Sequence, residues 1–452
     1  MVSAVRPRPA APREYRFPSF TEEVLPNGLR LVVAPVEKMP LVTVLVVIDA
    51  GSTADPPGKE GLAALTADAL LEGTREFDGA QLTERFEQLG TAVESGADWD
   101  SAFVKLTVLA DHLEAATTLL GDAIGIPAFP EREIERLKAE RLAEILQLET
   151  EPRGLADEKF AEFLYSADSR YAKPDAGTAE SVSRLLRSDV ESFFRSHYRA
   201  GATTVVVTGA ISPIAARNLV SKSFTRWPAG VADGRPLVAS PRTDSRAVNI
   251  VNKPGAPQSE LRVGHVGLPR NHPNFFPVMV MNAVLGGPFG SRINMNLREE
   301  HGYTYGASSH YDWRRGPGPF VVATAVQSEV TAPALQEIFS EIDRIRATKV
   351  SDEELSLACD YLDGVFPIRY ETTTAIASAL ANLVVYALNS DYYDTYRTRV
   401  REVTSDDVLR AAKNHLHPPQ MQTLIVGDAA VIKDSVARIN LGQLRIHAPQ
   451  NA

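Results

Sequence analysis

Ser188-Asp189-Val190 opens a helix that leads to Val205-Val206-Val207-Thr208-Gly209, and the same order returns as Asp406-Asp407-Val408, a helix, and Leu424-Ile425-Val426-Gly427. Asp189 and Asp407 are 218 residues apart, and so are Gly209 and Gly427. One offset shared by a helix and a strand predicts two copies of one α+β domain, each of roughly 200 residues, rather than a short-period solenoid. Outward from these anchors the halves read alike. Residues 21–58 alternate around the turn Asn27-Gly28, with strands over 29–34 and 41–48 and Pro35 closing the first. Helical spacing follows over 59–73 and 79–89, then a strand over 97–108 and a helix from about Ala110. A long charged helix runs from Phe129-Pro130 to about Glu149, and another helix leads to the strand 203–209. The second half offers strands over 248–251, 261–266 and 320–326 and helices over 274–285, 331–348 and 352–366.

The predicted fold class is therefore α+β: two homologous domains, each a mostly antiparallel sheet with helices packed on it, forming half of a clamshell. Residues 1–20, rich in Pro and Arg, read as a flexible N-terminal arm, 21–226 as the first domain, 227–246 as a linker, 247–440 as the second domain and 441–452 as a tail. A long linker between like domains suits a cavity between them.

Composition narrows the partners. The 452 residues are 44% hydrophobic and 23% charged, an ordinary globular balance. The net charge of −10, with no long basic run, argues against nucleic acid or an anionic membrane as partner. No stretch of about 18 apolar residues predicts a membrane span. The N-terminus lacks the apolar core of a signal peptide, so the sequence as it stands reads as cytoplasmic, and as periplasmic if a signal has been removed. Cys359 is the lone cysteine, which rules out an internal disulfide and a cysteine-based zinc site.

Ala50-Gly51-Ser52 ends a strand, and Gly61-Leu62-Ala63-Ala64-Leu65-Thr66-Ala67-Asp68-Ala69-Leu70-Leu71-Glu72-Gly73-Thr74 follows on a helix. This frame resembles the pitrilysin/insulinase family of zinc peptidases, in its processing-peptidase branch, whose helix reads Gly-x-Ala-His-x-x-Glu-His-x-x-x-x-Gly-Thr. Gly61, Ala63, Gly73 and Thr74 keep register, and the likeness runs from about residue 21 to 430. The resemblance implies that two His and a later Glu hold zinc and that the Glu between the His activates water. Here those positions are Ala64, Ala67 and Asp68, with Glu144 near the place of the third ligand. Two His at i and i+4 share a helix face and can grip one tetrahedral ion; alanine has no donor atom, and Asp68 alone cannot hold zinc. No metal site and no cofactor are expected in this chain.

Gly286-Gly287-Pro288-Phe289-Gly290-Ser291-Arg292 leads into Asn296-Leu297-Arg298-Glu299-Glu300-His301-Gly302-Tyr303-Thr304-Tyr305-Gly306. This is similar to the family segment in which an Arg, and a Tyr seven residues on, face the zinc across the cavity; the match assigns these parts to Arg298 and Tyr305. The chemistry suits them. A Tyr hydroxyl can donate to the oxyanion of a tetrahedral state, and a guanidinium can fork onto backbone carbonyls of a peptide. Gly302 and Gly306 place a helix end between them, with Arg298 on the helix and Tyr305 on the following strand. By themselves, an Arg in Leu-Arg-Glu-Glu is usually a surface ion pair and a strand Tyr is usually packing.

Other groups offer less. His415 and His417 stand at i and i+2, facing apart on a helix. His301 and His310 flank the Arg/Tyr segment and could touch substrate. The run Gly286–Gly290 lacks the Lys of a phosphate loop, and no Gly-x-Ser-x-Gly elbow is present. Residues 313–319 read as a hairpin with an exposed basic tip suited to an interface. The resemblance implies a division of labour: a homologous zinc-bearing subunit cleaves unfolded peptides, while this chain, inactive alone, completes the site in a heterodimer. The rival reading is a non-enzymatic scaffold or peptide-binding protein of the same fold.

Overall fold

The computed structural model describes residues 14–232 and 239–448. Two six-stranded sheets carry the two halves. The first contains β1 (Thr21–Val24), β2 (Arg30–Pro35), β3 (Leu41–Ile48), β4 (Val93–Ala97), β5 (Ala102–Leu109) and β6 (Thr203–Gly209) in the order β1-β2-β6-β3-β5-β4. The second contains β7 (Ala247–Asn252), β8 (Gln258–Val266), β9 (Ala307–Tyr311), β10 (Pro319–Gln327), β11 (Gln422–Gly427) and β12 (Gln443–His447) in the order β12-β7-β11-β8-β10-β9. In each sheet one inner pair is parallel, β2 with β6 and β7 with β11, and the next three pairings are antiparallel. The sheets differ at one edge, where β1 joins antiparallel and β12 joins parallel. β6 and β11 are buried along their whole length, which is why each has a continuous apolar centre, 205–207 and 424–426.

The repeated residues have structural reasons to repeat. Asp189 accepts from the backbone N–H of Leu186 at 3.1 Å and Asp407 from that of Thr404 at 2.9 Å, so each closes the first turn of its helix. These helices, Arg187–His197 and Ser405–His415, keep the 218-residue separation at both ends. A Cβ on Gly209 would stand 2.1 Å from the carbonyl oxygen of Leu41, and one on Gly427 would stand 2.8 Å from Ser259 Oγ. Each glycine lets its central strand close against the neighbour.

Each half lends a helix to the other. Pro152–Leu164 packs Leu155, Phe160, Phe163 and Leu164 against Val251, Val321, Leu424 and Val426 of the second sheet. Thr373–Val385 crosses back to the first sheet, where Thr43 Oγ1 meets Thr373 Oγ1 at 2.8 Å and Thr208 Oγ1 donates to the Thr373 carbonyl at 2.7 Å. The halves are therefore interlocked and not merely tethered.

Several boundaries differ from the sequence reading. Of the expected arm, residues 1–13 lie outside the described residues, but 14–20 are docked: Tyr15 OH donates to the Tyr370 carbonyl at 3.1 Å and buried Phe17 stacks on Tyr393. Of the expected linker, 233–238 lie outside the described residues, whereas Trp227 is core and its Nε1 donates to Thr203 Oγ1 at 3.0 Å. The expected tail begins with β12, which extends the second sheet; 449–452 are not described. The strand expected over 97–108 is a hairpin, β4 and β5, folded at 98–101 by Asp98, whose Oδ1 accepts from the N–H groups of Asp100 and Ser101. The tip at 313–319 is only partly exposed: Arg315 is open to solvent, but the rest is buried or half-buried. Arg314 is buried, its guanidinium 4.0 Å from the ring centre of Trp99 and 4.6 Å from that of Tyr171, and the Arg315 N–H donates to Asp100. The tip fastens the second half to the first. Cys359 is buried and donates to the Val400 carbonyl. Among the described residues, no helix is long and apolar enough to cross a membrane.

Candidate functional site

The frame helix Leu62–Asp68 is held at its start by a buried carboxylate. Asp55 accepts from the N–H groups of Gly61 at 2.8 Å and Ala63 at 2.7 Å, and pairs with Arg170 at 2.9 Å. Gly61 has φ +94°, and a Cβ there would stand 2.6 Å from the Ala176 carbonyl oxygen. Gly51 is as constrained, with a Cβ 2.4 Å from Ser101 N. These contacts place the helix, and sequence reasoning found the glycines without Asp55 or Arg170, which come together only through the fold.

Along that helix Ala64 is half-buried, Ala67 is buried and Asp68 is open to solvent. Asp68 nevertheless lies in a concave corner, where surrounding atoms displace much of its hydration though water still reaches it. This desolvation, reinforced by the charge of Glu144, pushes its carboxyl up to about 6; Arg141 opposes the shift and Glu72 adds to it. Arg141 also meets Glu144 at 3.3 Å and donates through Nε to the Ala176 carbonyl. Asp68 and Glu144 do share one corner, but the positive charge between them is a guanidinium. Zinc does not fit here: Ala64 and Ala67 offer no donor, and among the described residues no group of three or more His, Cys, Asp or Glu is arranged to hold a metal ion.

In the second half the helix Phe275–Leu285 ends at Gly286, where a Cβ would stand 2.4 Å from Ser309 Oγ. Asn294 clamps the segment beyond it, donating to the Phe289 carbonyl at 2.6 Å and accepting from the Ala307 N–H at 3.0 Å. The turn Met295–Glu300 is wound as a π-helix, the kind of widened turn found often at functional sites. Arg298 sits on it, its guanidinium 4.5 Å from the ring centre of Phe289 and its Nε 3.4 Å from Glu299. Tyr305 lies in the loop before β9, not on the strand as expected, because Thr304 Oγ1 bonds the N–H and carbonyl of Gly306 and turns the chain. Its side chain is 94% exposed.

Tyr305 borders a cleft of about 550 Å³ floored by β8 and β10 and walled by the 152–164 helix. Arg262, His310 and Asp157 line it, and Arg262 bonds Asp157 at 2.6 Å. His310 is exposed on β9, and partial desolvation by the cleft walls lowers its imidazole from the usual range. Neither Arg298 nor the frame helix borders this cleft. His301 stacks on Tyr303 instead. His265, His272, His415 and His417 gather at one end of the second sheet, but His265 Nδ1 bonds the Val266 carbonyl, His272 Nδ1 meets the Asn274 N–H and His415 Nε2 meets Asn274 Nδ2.

Two family models divide this architecture between them. Residues 31–173 match "Insulinase (Peptidase family M16)" and residues 184–362 match "Peptidase M16 inactive domain". The chain belongs to peptidase family M16. This M16 chain is 22% identical over 408 residues to an uncharacterized zinc protease of Streptomyces coelicolor, covering 89% of this chain and 88% of that protein. It is 18% identical over 437 residues to the mitochondrial-processing peptidase subunit beta of Saccharomyces cerevisiae, covering 92% and 93%. The crystal structure of a peptidase M16 inactive domain from Pseudomonas fluorescens superposes with a TM-score of 0.85 at 24% identity, covering 90% of this chain and 98% of that one, and so shares the fold.

Proposed function

We propose that this M16 chain is the non-catalytic subunit of a two-chain zinc metallopeptidase and supplies Arg298 and Tyr305 to the site of a homologous zinc-bearing partner. The observation that carries the reading is the pairing of a frame helix that has alanine at positions 64 and 67 with a phenol that is 94% exposed and has no hydrogen-bond partner among the described residues. A chain gains nothing for its own packing from such a side chain. Placed against a partner's site, the Tyr305 hydroxyl donates to the oxygen that gains charge as the peptide carbonyl becomes tetrahedral. Arg298, freed from Phe289, forks onto backbone carbonyls of the bound peptide and fixes its register. The substrate is an unfolded peptide, since only an extended chain threads a cavity closed by two such halves.

The test is reconstitution. The isolated chain cleaves no peptide and carries no stoichiometric zinc, whereas co-purification brings down a zinc-bearing homologue and the mixture is active. Arg298→Ala and Tyr305→Phe each reduce kcat/KM of the mixture by about 100-fold, the scale of one lost oxyanion donor. Undiminished turnover in both variants would remove the assigned roles, and a membrane complex as the co-purifying species would favour a scaffold.

A further inference from the structure

A second cavity, of about 710 Å³, opens in the second half between the glycine turn at 286–290, the π-helical turn and the helices Thr331–Ala347 and Asp352–Arg369. Its mouth is apolar: Phe289, Leu357 and Tyr361 are 60%, 49% and 43% exposed around one opening. Single exposed apolar side chains are ordinary, but three around one concavity of this size are what a small-molecule site looks like. The inner end is polar. Asn296 and Glu341 are 8% and 6% exposed and touch each other, Asn296 Nδ2 donating to Glu341 Oε1 at 3.2 Å. Yet Asn296 Oδ1 and Glu341 Oε2 have no donor. Arg344 reaches Glu341 only at 3.4 Å with a mostly exposed side chain, so it is easily displaced. Arg292 is already matched by Glu354 through two bonds of 2.7 and 2.9 Å, with its Nη1 left without an acceptor, and Glu300 adds negative charge to the lining. At Asn296 and Glu341 the unmet demand is for N–H donors bearing positive charge, and the aromatic rings of Phe289 and Tyr361 favour the same sign.

We propose that this cavity binds a small organic cation with an apolar body, an arylalkyl ammonium or amidinium. Its head takes the place of Arg344 against Asn296 and Glu341, and its body lies between Phe289, Leu357 and Tyr361. Phe289 is also the ring on which Arg298 rests, so one side chain belongs to both the cavity and the Arg298 perch. An effect of the ligand on peptide turnover therefore rests on the role proposed for Arg298, while the binding itself does not.

Calorimetric titration of the full chain with benzamidine, benzyl alcohol and benzoate tests the site without any peptidase partner. Saturable one-to-one binding of benzamidine is expected, with benzyl alcohol at least 10-fold weaker and benzoate not binding. Glu341→Gln should weaken benzamidine at least 10-fold and Tyr361→Ala, at the mouth, at least 3-fold, with unchanged circular dichroism in each. Equal binding of benzyl alcohol reduces the site to a greasy groove, and preferred binding of benzoate makes it an anion site; either overturns the proposal. So does the absence of saturable benzamidine binding, or benzamidine affinity unchanged in both variants. Failure of this titration leaves the reconstitution test of Arg298 and Tyr305 untouched.

Discussion

The frame helix of the first half and the Arg298 segment of the second come after corresponding central strands, β3 and β8, in two copies of one plan, and they have diverged in opposite directions. In the first half the backbone of the frame helix is tightly fixed. Asp55 still caps the helix and Gly51 and Gly61 still sit where no side chain fits, but the side chains that face the corner are Ala64, Ala67 and Asp68. In the second half the backbone is unusual, with a glycine turn and a π-helical winding; Arg298 lies half-buried on Phe289 and Tyr305, in the loop beyond, projects outward. Fold and site are thus separable here: the contacts that place a helix are distinct from the atoms that would do chemistry on it.

The sharpest break of this comparison is to restore the atoms and leave the frame alone. Ala64→His with Asp68→His returns two imidazoles at i and i+4 opposite Glu144. Metal analysis after dialysis should rise from none to close to one zinc per chain. Continued absence of zinc in the folded double variant would mean that the corner has closed, and that its backbone is less faithfully kept than its glycines indicate.

The two exchanged helices extend the comparison. The 152–164 helix holds the second sheet by apolar burial, with Phe160 4% exposed among Val251, Val321, Leu424 and Val426. Phe160→Ala should cost about 3–5 kcal/mol in denaturant unfolding, transfer and cavity contributions together. A loss below about 1 kcal/mol would show that this helix rides on the sheet without fastening it.

How much of this could be read from the chain depends on the range of the interactions. The loss of a metal donor was legible because a ligand is an atom type at a position, and Ala64 has none at the place of the first His. The repeat was legible because Asp189 and Asp407 act locally, as turn-closers, and Gly209 and Gly427 recur at the same offset. β9 was not, since Ala-Ser-Ser-His-Tyr has weak strand preference and is held by pairing with β10. The docking of Arg314 on Trp99 was not either, nor the exchange of helices, because each joins residues hundreds of positions apart. The sequence does not show which of Arg314 and Arg315 is buried and which stays exposed.

A smaller effect is expected where the hairpin tip meets the first half. Asp100 is 2% exposed, accepts from the Arg315 N–H at 2.9 Å and has one oxygen without a donor. Burial pushes its carboxyl up to about 6 from 3.8, against the pull of that N–H and of the Arg315 charge. The native state therefore holds this proton more tightly than the unfolded chain. Its contribution to stability is complete below about pH 4, is lost as pH rises to about 6 and is flat beyond, amounting to at most roughly 2–3 kcal/mol. Asp100→Asn keeps the acceptor and removes the titration. Asp68 titrates in the same window with the same sign, so the readout is the difference between wild type and variant in melting temperature from pH 4 to 6. Parallel curves would show that Asp100 does not change protonation in that range.

The smallest effect belongs to the other exchanged helix, and its size decides how the two exchanges differ. Thr43 Oγ1 is buried and lies 2.8 Å from both Thr107 Oγ1 and Thr373 Oγ1, joining β3 to the 373–385 helix by hydroxyls where the first exchange uses an aromatic ring. Thr43→Val keeps the shape and removes one hydroxyl. The neighbours are not stranded, since Thr107 Oγ1 is also 3.1 Å from Thr374 Oγ1 and Thr373 is only half-buried, so its hydroxyl can turn to water. The loss should then be about 1 kcal/mol, the net worth of an exchanged hydrogen bond and not the larger penalty of a buried group left alone. If unfolding experiments instead return a loss as large as that of Phe160→Ala, the threonines act as one network whose members stand or fall together. In that case the polar seam binds the halves as firmly as the apolar one.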